Sequence, residues 1–158
     1  MPTLRHPSSR ARLAGVALAA FAAGAVAAGP DPEFLNSAKI VGGDLPFSEA
    51  VRHGDTLYLS GQVGIRPGTT QLAPGGIKPE AQQALENIRA ILVANGRTTA
   101  DVLKCTVMLA DMAEWPALNE VWRGFWQKPY PARSAFGATG LALGARVEIE
   151  CLASARRR

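Results

Sequence analysis

An α+β sheet with its helices packed on one face is the fold class this sequence predicts, and three observations carry it. Runs rich in β-forming residues are interrupted by two amphipathic helical stretches, in the order ββαβαββ. The last run, Ala145 to Ala153, alternates strictly, with Arg146, Glu148, Glu150 and Leu152 on one side and apolar residues on the other. Once an N-terminal segment is set aside, about 131 residues remain, the length of one ordinary domain able to bury a real core.

That N-terminal segment is residues 1–27. Arg5, Arg10 and Arg12 precede an uncharged run from Leu13 to Ala27, and Ala25-Val26-Ala27 supplies a small-x-small cleavage site. This is the pattern of a secretory signal peptide, with an apolar run short of the roughly twenty residues that span a bilayer. Arg10 and Arg12 are not adjacent, so no twin-arginine signal is read. The expectation is a periplasmic or secreted protein without stable membrane insertion once the signal is removed. Three of the 17 Lys and Arg residues leave with it and none of the 13 acids, so 14 basic residues face 13 acidic ones and the mature net charge is +1. No broad basic stripe is left for nucleic acid.

Residues 28–44, rich in Gly, Pro and Asp, read as an extended arm, and the folded domain is placed at 45–153. Phe47 to Arg52 and Thr56 to Val63 read as a hairpin around His53-Gly54-Asp55. Gly61 interrupts the second strand, a sign of a bulge or of a close backbone approach. A loop over Pro67 to Gly76 leads to a helix from Pro79 to Asn95, its apolar stripe made of Ala81, Ala84, Leu85, Ile88, Ile91 and Leu92, its end marked by Gly96. Val102 to Leu109 is the next strand. Glu114 to Trp126 is a second helix with Leu118, Val121, Trp122 and Phe125 on its apolar stripe, and Pro116 near its start. Arg133 to Ala138 is a short strand, Thr139 to Gly144 a turn, and 154–158 a basic tail ending in three arginines. Helices on one face leave the sheet's second face to water or to another subunit.

Cys105 and Cys151 lie in separate strand-like runs. They either form a single disulfide in an oxidising compartment or serve as small core residues, and the sequence does not say whether their strands are neighbours. With no CxxC spacing and with His6 leaving in the signal, only His53 remains, so a metal site is not expected.

One constellation looks like chemistry. Tyr130-Pro131-Ala132-Arg133-Ser134 ends in an arginine flanked by small residues, and Arg146-Val147-Glu148-Ile149-Glu150-Cys151 follows with two acids. Taken alone, Arg133 and Glu148 read first as a surface salt bridge, and second as a carboxylate clamp with an acid nearby.

The wider pattern favours the second reading. The runs Phe47-Ser48-Glu49-Ala50-Val51 and Gly54-Asp55-Thr56-Leu57-Tyr58-Leu59-Ser60-Gly61-Gln62-Val63 resemble the opening hairpin of the reactive-intermediate deaminase (Rid, or YjgF-like) family. Asn87-Ile88-Arg89-Ala90-Ile91-Leu92 is similar to its first helix, Val102 to Val107 to its third strand, and Pro131-Ala132-Arg133-Ser134 with Val147-Glu148-Ile149-Glu150 to its C-terminal signature. The resemblance implies a chorismate-mutase-like α+β fold, a homotrimer with clefts between subunits, and cofactor-free hydrolysis of small 2-imino acids to 2-oxo acids and ammonia. It implies that Arg133 binds the substrate carboxylate through a two-pronged fork that lysine cannot reproduce. It also implies that Glu148 activates water as a general base. Ser60 and Gly61 match a Ser-Gly pair lining the cleft, Asn119 an asparagine near it, and Ser134 follows the arginine.

Three departures bear on substrate. Phe47 stands where the family commonly has a tyrosine, Ala135 where it often has Cys or Val, and the run Phe136 to Gly140 carries less charge than usual. Alternative readings are a non-catalytic trimeric ligand-binding or chaperone-like protein and an RNA-cleaving member, the latter disfavoured by near-neutral mature charge and the signal. Trp115, Trp122 and Trp126 read as core or subunit contacts rather than a stacking platform, and Tyr130 as a border of the cleft.

Overall fold

The alternation and helical stripes in the sequence resolve into one six-stranded mixed sheet with two helices. A computed structural model describes residues 29–36, 38, 40 and 45–156, so the segment read as a signal peptide and the last two arginines lie outside the described residues. The strands are β1 (Glu33–Leu35), β2 (Ala50–His53), β3 (Thr56–Val63), β4 (Val102–Leu109), β5 (Ala132–Gly137) and β6 (Val147–Ser154); the helices are α1 (Ile77–Ala94) and α2 (Trp115–Phe125). The spatial order is β1-β2-β3-β6-β4-β5. Only β4 and β5 run parallel, which α2 makes possible by carrying the chain back across the sheet.

The α+β class and both helices are as expected. Most element ends shift by one or two residues, such as α1 starting at Ile77 rather than Pro79, and two larger differences stand out. The arm contributes an edge strand of its own, β1, which pairs with β2 from Glu33–Arg52 to Leu35–Ala50. The first hairpin strand starts at Ala50 rather than Phe47, because the carbonyls of Ser48 and Glu49 are taken by Ser60 and the Glu49 N–H donates to Asn36 Oδ1.

Alternation sorts the sheet into two faces. Leu57, Leu59, Cys105, Val107, Leu109, Val147, Ile149, Cys151 and Ala153 are buried and meet the buried stripe of α1 and Leu118 and Trp122 of α2. Burying a Leu or Ile side chain in this way contributes about 1.5–3 kcal/mol. The other face presents Lys104, Thr106, Glu148 and Glu150, together with exposed Tyr58, Phe136 and Leu152.

Polar contacts fix α1 against the sheet. Asn87, almost fully buried, donates from Nδ2 to the carbonyls of Val63 (3.2 Å) and Ile65 (2.9 Å). A Cβ at Gly64 would sit 2.5 Å from the carbonyl oxygen of Glu80, so only glycine lets the helix approach this closely. At the far end Gly96 takes φ +68°, and the N–H groups of Gly96 and Arg97 reach the carbonyls of Val93 (3.0 Å) and Leu92 (2.8 Å). These two bonds close the helix as the glycine in the sequence indicates.

Cys105 and Cys151 stand directly opposite each other on β4 and β6 and form a disulfide. The sequence leaves this pairing open, since only the strand order makes the two neighbours. Both are almost fully buried on the helix-covered face.

Candidate active site

Arg133 enters the site from β5, the edge strand farthest from the opening hairpin. Its register partner on β4 is Cys105, so the side chain points to the helix-covered face, where α2 meets it. Nη2 donates to Oδ1 of Asn119 (2.7 Å). The guanidinium carbon lies 4.5 Å from the ring centre of Trp115 and 4.7 Å from that of Trp122, so two indoles flank it. Residues 115, 119 and 122 share one face of α2 by helical spacing.

No carboxylate approaches this cation among the described residues. Burial, and then the charge of Arg123, push the Arg133 pKa down from the ordinary arginine value, although a guanidinium stays protonated in water-accessible conditions. Nη1 is buried and has no hydrogen-bond partner. A buried charged donor without a partner costs free energy unless something arrives to accept its hydrogen. Arg123, Tyr130 and Pro131 complete the lining of an open depression of about 410 Å³ around it. Tyr130 thus borders the site as the sequence predicts.

Glu148 sits elsewhere. On β3 the pairs Leu59–Cys151 and Gln62–Ile149 bracket two residues, Ser60 and Gly61, against the single Glu150 on β6. This is a β-bulge, and it re-aims the residues around it. A Cβ on Gly61 would meet Oε1 of Glu148 at 2.1 Å, so the carboxylate lies over the bare glycine. The sequence reading of Gly61 as a bulge or a close approach holds on both counts. Burial, and secondarily the charge of Glu150, raise the Glu148 pKa above the ordinary carboxylate value. A raised pKa makes a carboxylate a better proton acceptor near neutrality.

Arg133 and Glu148 therefore do not form a salt bridge, and the first of the two simple readings fails. Glu148 pairs with Met108, on the opposite face of β4 from Cys105 and Arg133. One chain presents the cation on the helix side of the sheet and the carboxylate on the open side. Phe47 and Ser60 line a third feature, a shallow depression of about 500 Å³ with Phe34, Asn36, Leu45 and Val51. Ser60 Oγ donates to the carbonyl of Ser48 (2.6 Å), which anchors that rim. Ser134 is exposed and pairs with Thr106 on the open face, and Ala135 packs against the core on the helix face. Asn119 is brought to Arg133; Gly61 is brought to Glu148.

The tryptophans need a correction. Trp122 and Trp126 are indeed buried, 5.3 Å apart, but Trp115 and Trp122 also form the stacking platform that the sequence reading set aside. Their spacing with Asn119 over about two turns of helix was the available signal, and the partner on β5 was not visible. Arg123 was missed for the same reason. The start of α2 is itself pinned: Arg146 Nε donates to both carboxylate oxygens of Glu114 (2.7 and 3.0 Å), and its backbone N–H donates to buried Glu80 (2.8 Å).

A sheet edge that holds a stacked arginine with an unsatisfied, inward donor defines a small α+β protein built to take an anionic small molecule. The chain belongs to the family described as Endoribonuclease L-PSP, which it matches over residues 41–155, the YjgF-like family its motifs resemble. The goat protein named 2-iminobutanoate/2-iminopropanoate deaminase is 44% identical over 119 residues, 75% of this chain and 87% of that one. The human protein of the same name is 40% identical over 119 residues, again 75% of this chain and 87% of its own. Among solved structures, RidA from the Antarctic bacterium Psychrobacter is 38% identical with a TM-score of 0.72, covering 77% of this chain and 98% of its own. E. coli TdcF with bound serine is 30% identical with a TM-score of 0.73, covering 79% of this chain and 99% of its own.

Proposed function

We propose that the protein is a cofactor-free deaminase that hydrolyses small 2-imino acids to 2-oxo acids and ammonia. The observation that carries this reading is the Arg133 guanidinium, flanked by indoles, held by Asn119, and left with one buried donor for a substrate carboxylate. The relatives named 2-iminobutanoate/2-iminopropanoate deaminase support the same chemistry.

Glu148 takes a proton from water as the water oxygen forms its bond to C2 of the protonated imine. The protonated Glu148 then returns a proton to the amino nitrogen of the tetrahedral intermediate. As the C–N bond breaks, the regenerated Glu148 carboxylate takes the proton of the new hydroxyl and C2 becomes the carbonyl carbon of the 2-oxo acid. The nitrogen leaves as ammonia, and Glu148 then passes that proton to water or to the departing ammonia. Burial of Glu148 supports both halves of this exchange by bringing its two protonation states closer in free energy.

Arg133 and Glu148 face opposite sides of one sheet, so a site that uses both is assembled from two copies of the chain. The open face, with Tyr58, Phe136 and Leu152 exposed, supplies apolar surface for that contact. A homotrimer with three such clefts fits a site in which each copy gives Arg133 to one cleft and Glu148 to another. The disulfide supports maturation in an oxidising compartment, periplasmic or extracellular, as the N-terminal segment suggests. There an amino-acid oxidase or dehydrogenase is the class of enzyme that would supply the imine.

The test generates 2-iminopropanoate in situ and follows its loss. Arg133→Ala is expected to lower kcat/KM by roughly 30- to 150-fold, the loss of one charge-assisted hydrogen-bonding group. Arg133→Ala and Glu148→Gln chains, unfolded and refolded together, then regain up to about a quarter of wild-type activity if each site draws on two copies. No acceleration by the wild type would sink the deaminase reading; no recovery on mixing would sink the shared site.

A further inference from the structure

We propose that Arg123 is a second anion-binding group of this site and selects imino acids that carry a carboxylate at the far end of the side chain. The inference rests on the deaminase reading of the Arg133 pocket and names its substrate class: 2-imino dicarboxylic acids, with the corresponding 2-oxo dicarboxylic acids as products.

Two guanidiniums line one depression. Arg123 and Arg133 share it with Trp115, Asn119, Trp122 and Tyr130, and no acidic side chain is among the lining. Like charges placed together repel, and the effect of Arg123 on Arg133 is felt in the direction that repulsion requires. Such an arrangement favours a bound anion. The single carboxylate of a 2-iminopropanoate or 2-iminobutanoate satisfies the donor of Arg133 and leaves Arg123 without an anion.

Among the described residues no acid forms an ion pair with Arg123. Glu120, one turn back on α2, feels Arg123 only weakly and is committed to Lys78, whose Nζ lies 2.5 Å from its carboxylate. Glu114 is taken by Arg146. Lys128 places its ammonium 6.0 Å from the Tyr130 ring but is not part of the lining. Two guanidiniums thus face one opening with no acid in its lining. Electrostatic focusing in a cleft of one sign raises the local concentration of the opposite charge, most strongly for a dianion.

Size permits the longer substrate. The depression of about 410 Å³ falls within the roughly 300–1,000 Å³ of pockets that hold small organic ligands. Arg123 is exposed while Arg133 is half-buried, so the two cations stand at different depths. The deeper one, flanked by indoles, takes the carboxylate next to the reacting carbon; the outer one meets the carboxylate at the chain's far end. At the outer, exposed position a long, permanently charged side chain is what the far carboxylate meets, and the attraction is chiefly that of charge.

The experiment measures kcat/KM of the purified protein on two imines generated in situ by amino-acid oxidases, 2-iminobutanoate and 2-iminoglutarate. In parallel, the affinities of 2-oxobutanoate and 2-oxoglutarate are measured by calorimetry. The wild type is expected to favour the dicarboxylate in both assays. Arg123→Gln is expected to cut the dicarboxylate-to-monocarboxylate ratio about tenfold, and Arg123→Lys to retain most of it, since an exposed charge pair is partly screened. An unchanged ratio in Arg123→Gln overturns the proposal. So does an equal fall on both substrates, which would mean that Arg123 only offsets the charge of a Glu148 arriving from another copy. Should the wild type turn over neither imine, the deaminase reading fails, and the calorimetric preference and its loss in Arg123→Gln decide the second anion site independently.

Discussion

The Arg133 pocket and the Glu148 ledge handle a partly buried charge in opposite ways. The pocket surrounds its cation with aromatic faces and one amide, keeps carboxylates away, and leaves a donor waiting. The ledge lays its anion over a glycine in a bulge, beside a second acid, with its pKa pushed up. In the proposed reaction one region binds the substrate and the other moves a proton. The sheet between them keeps the two from neutralising each other within a chain, which is the difference that matters: a closed Arg133–Glu148 ion pair would serve neither task.

Removing the proton-transfer group should have the largest effect. Glu148→Gln is expected to lower kcat by about 10²- to 10⁴-fold with little change in KM, the signature of a general base. The wild-type rate should rise with pH through a value above that of an ordinary carboxylate, because Glu148 must be ionised to accept a proton. The stability effect has the opposite sign. A carboxylate whose folded pKa is raised stabilises the fold when protonated; that contribution is complete below its unfolded pKa and is lost as pH rises through the folded one. At neutral pH, then, Glu148→Gln should leave the melting temperature unchanged or slightly higher. A clear drop in melting temperature would mean that Glu148 is structural and would collapse the contrast between ledge and pocket.

Gly61→Ala tests the ledge without touching its acid. The added methyl would occupy the place of the Glu148 carboxylate, which is the far end of a flexible side chain and can swing away. Gly61 is not among the glycines with positive φ, so alanine fits the backbone. Misplacing a reacting group by an ångström can cost about 10²-fold, and a loss of kcat of that order is expected at near-native stability. If activity survives, the carboxylate's seat over the bulge is not what positions it.

Much of this layout was legible in the chain. The period-2 runs, the stripe of α1 and the Gly96 end of that helix all follow local rules, and the bulge at Gly61 was visible as a glycine inside a strand. Arg133 and Glu148 are singled out by their motifs alone. What sequence could not supply is anything that depends on strand order. Cys105 and Cys151 are 46 residues apart and become neighbours only because β6 inserts between β3 and β4. For the same reason Trp115, Trp122 and Arg123 read as members of an amphipathic helix until β5 returned beside β4 and placed Arg133 under them.

The disulfide lies in the same register row as Arg133 and ties β4 to β6, the strands that separate pocket from ledge. Cys105→Ala with Cys151→Ala should destabilise the fold by about 2–4 kcal/mol, read as the shift in urea midpoint against the oxidised protein. Both regions are then expected to lose activity together on warming, since the common element is what loosens. Loss confined to KM would show instead that the bond serves Arg133 alone.

The smallest effect separates the two tryptophans. Trp122 is core as well as platform, so truncating it would confuse packing with binding, whereas Trp115 is only half-buried and stands at the start of α2. A guanidinium over an indole gains about 0.5–2 kcal/mol depending on how dry the contact is. Trp115→Leu keeps apolar cover and removes the ring's negative face, so Arg133 loses that attraction but keeps Asn119 and Trp122. The expected result is a KM raised about three- to tenfold for the imino acid, with kcat and the pH dependence set by Glu148 unchanged. An altered pH profile would mean that the platform reaches the proton-transfer group, and the division of labour between pocket and ledge would have to be redrawn; a Trp115→Phe variant, which restores a ring face, should recover most of the lost affinity.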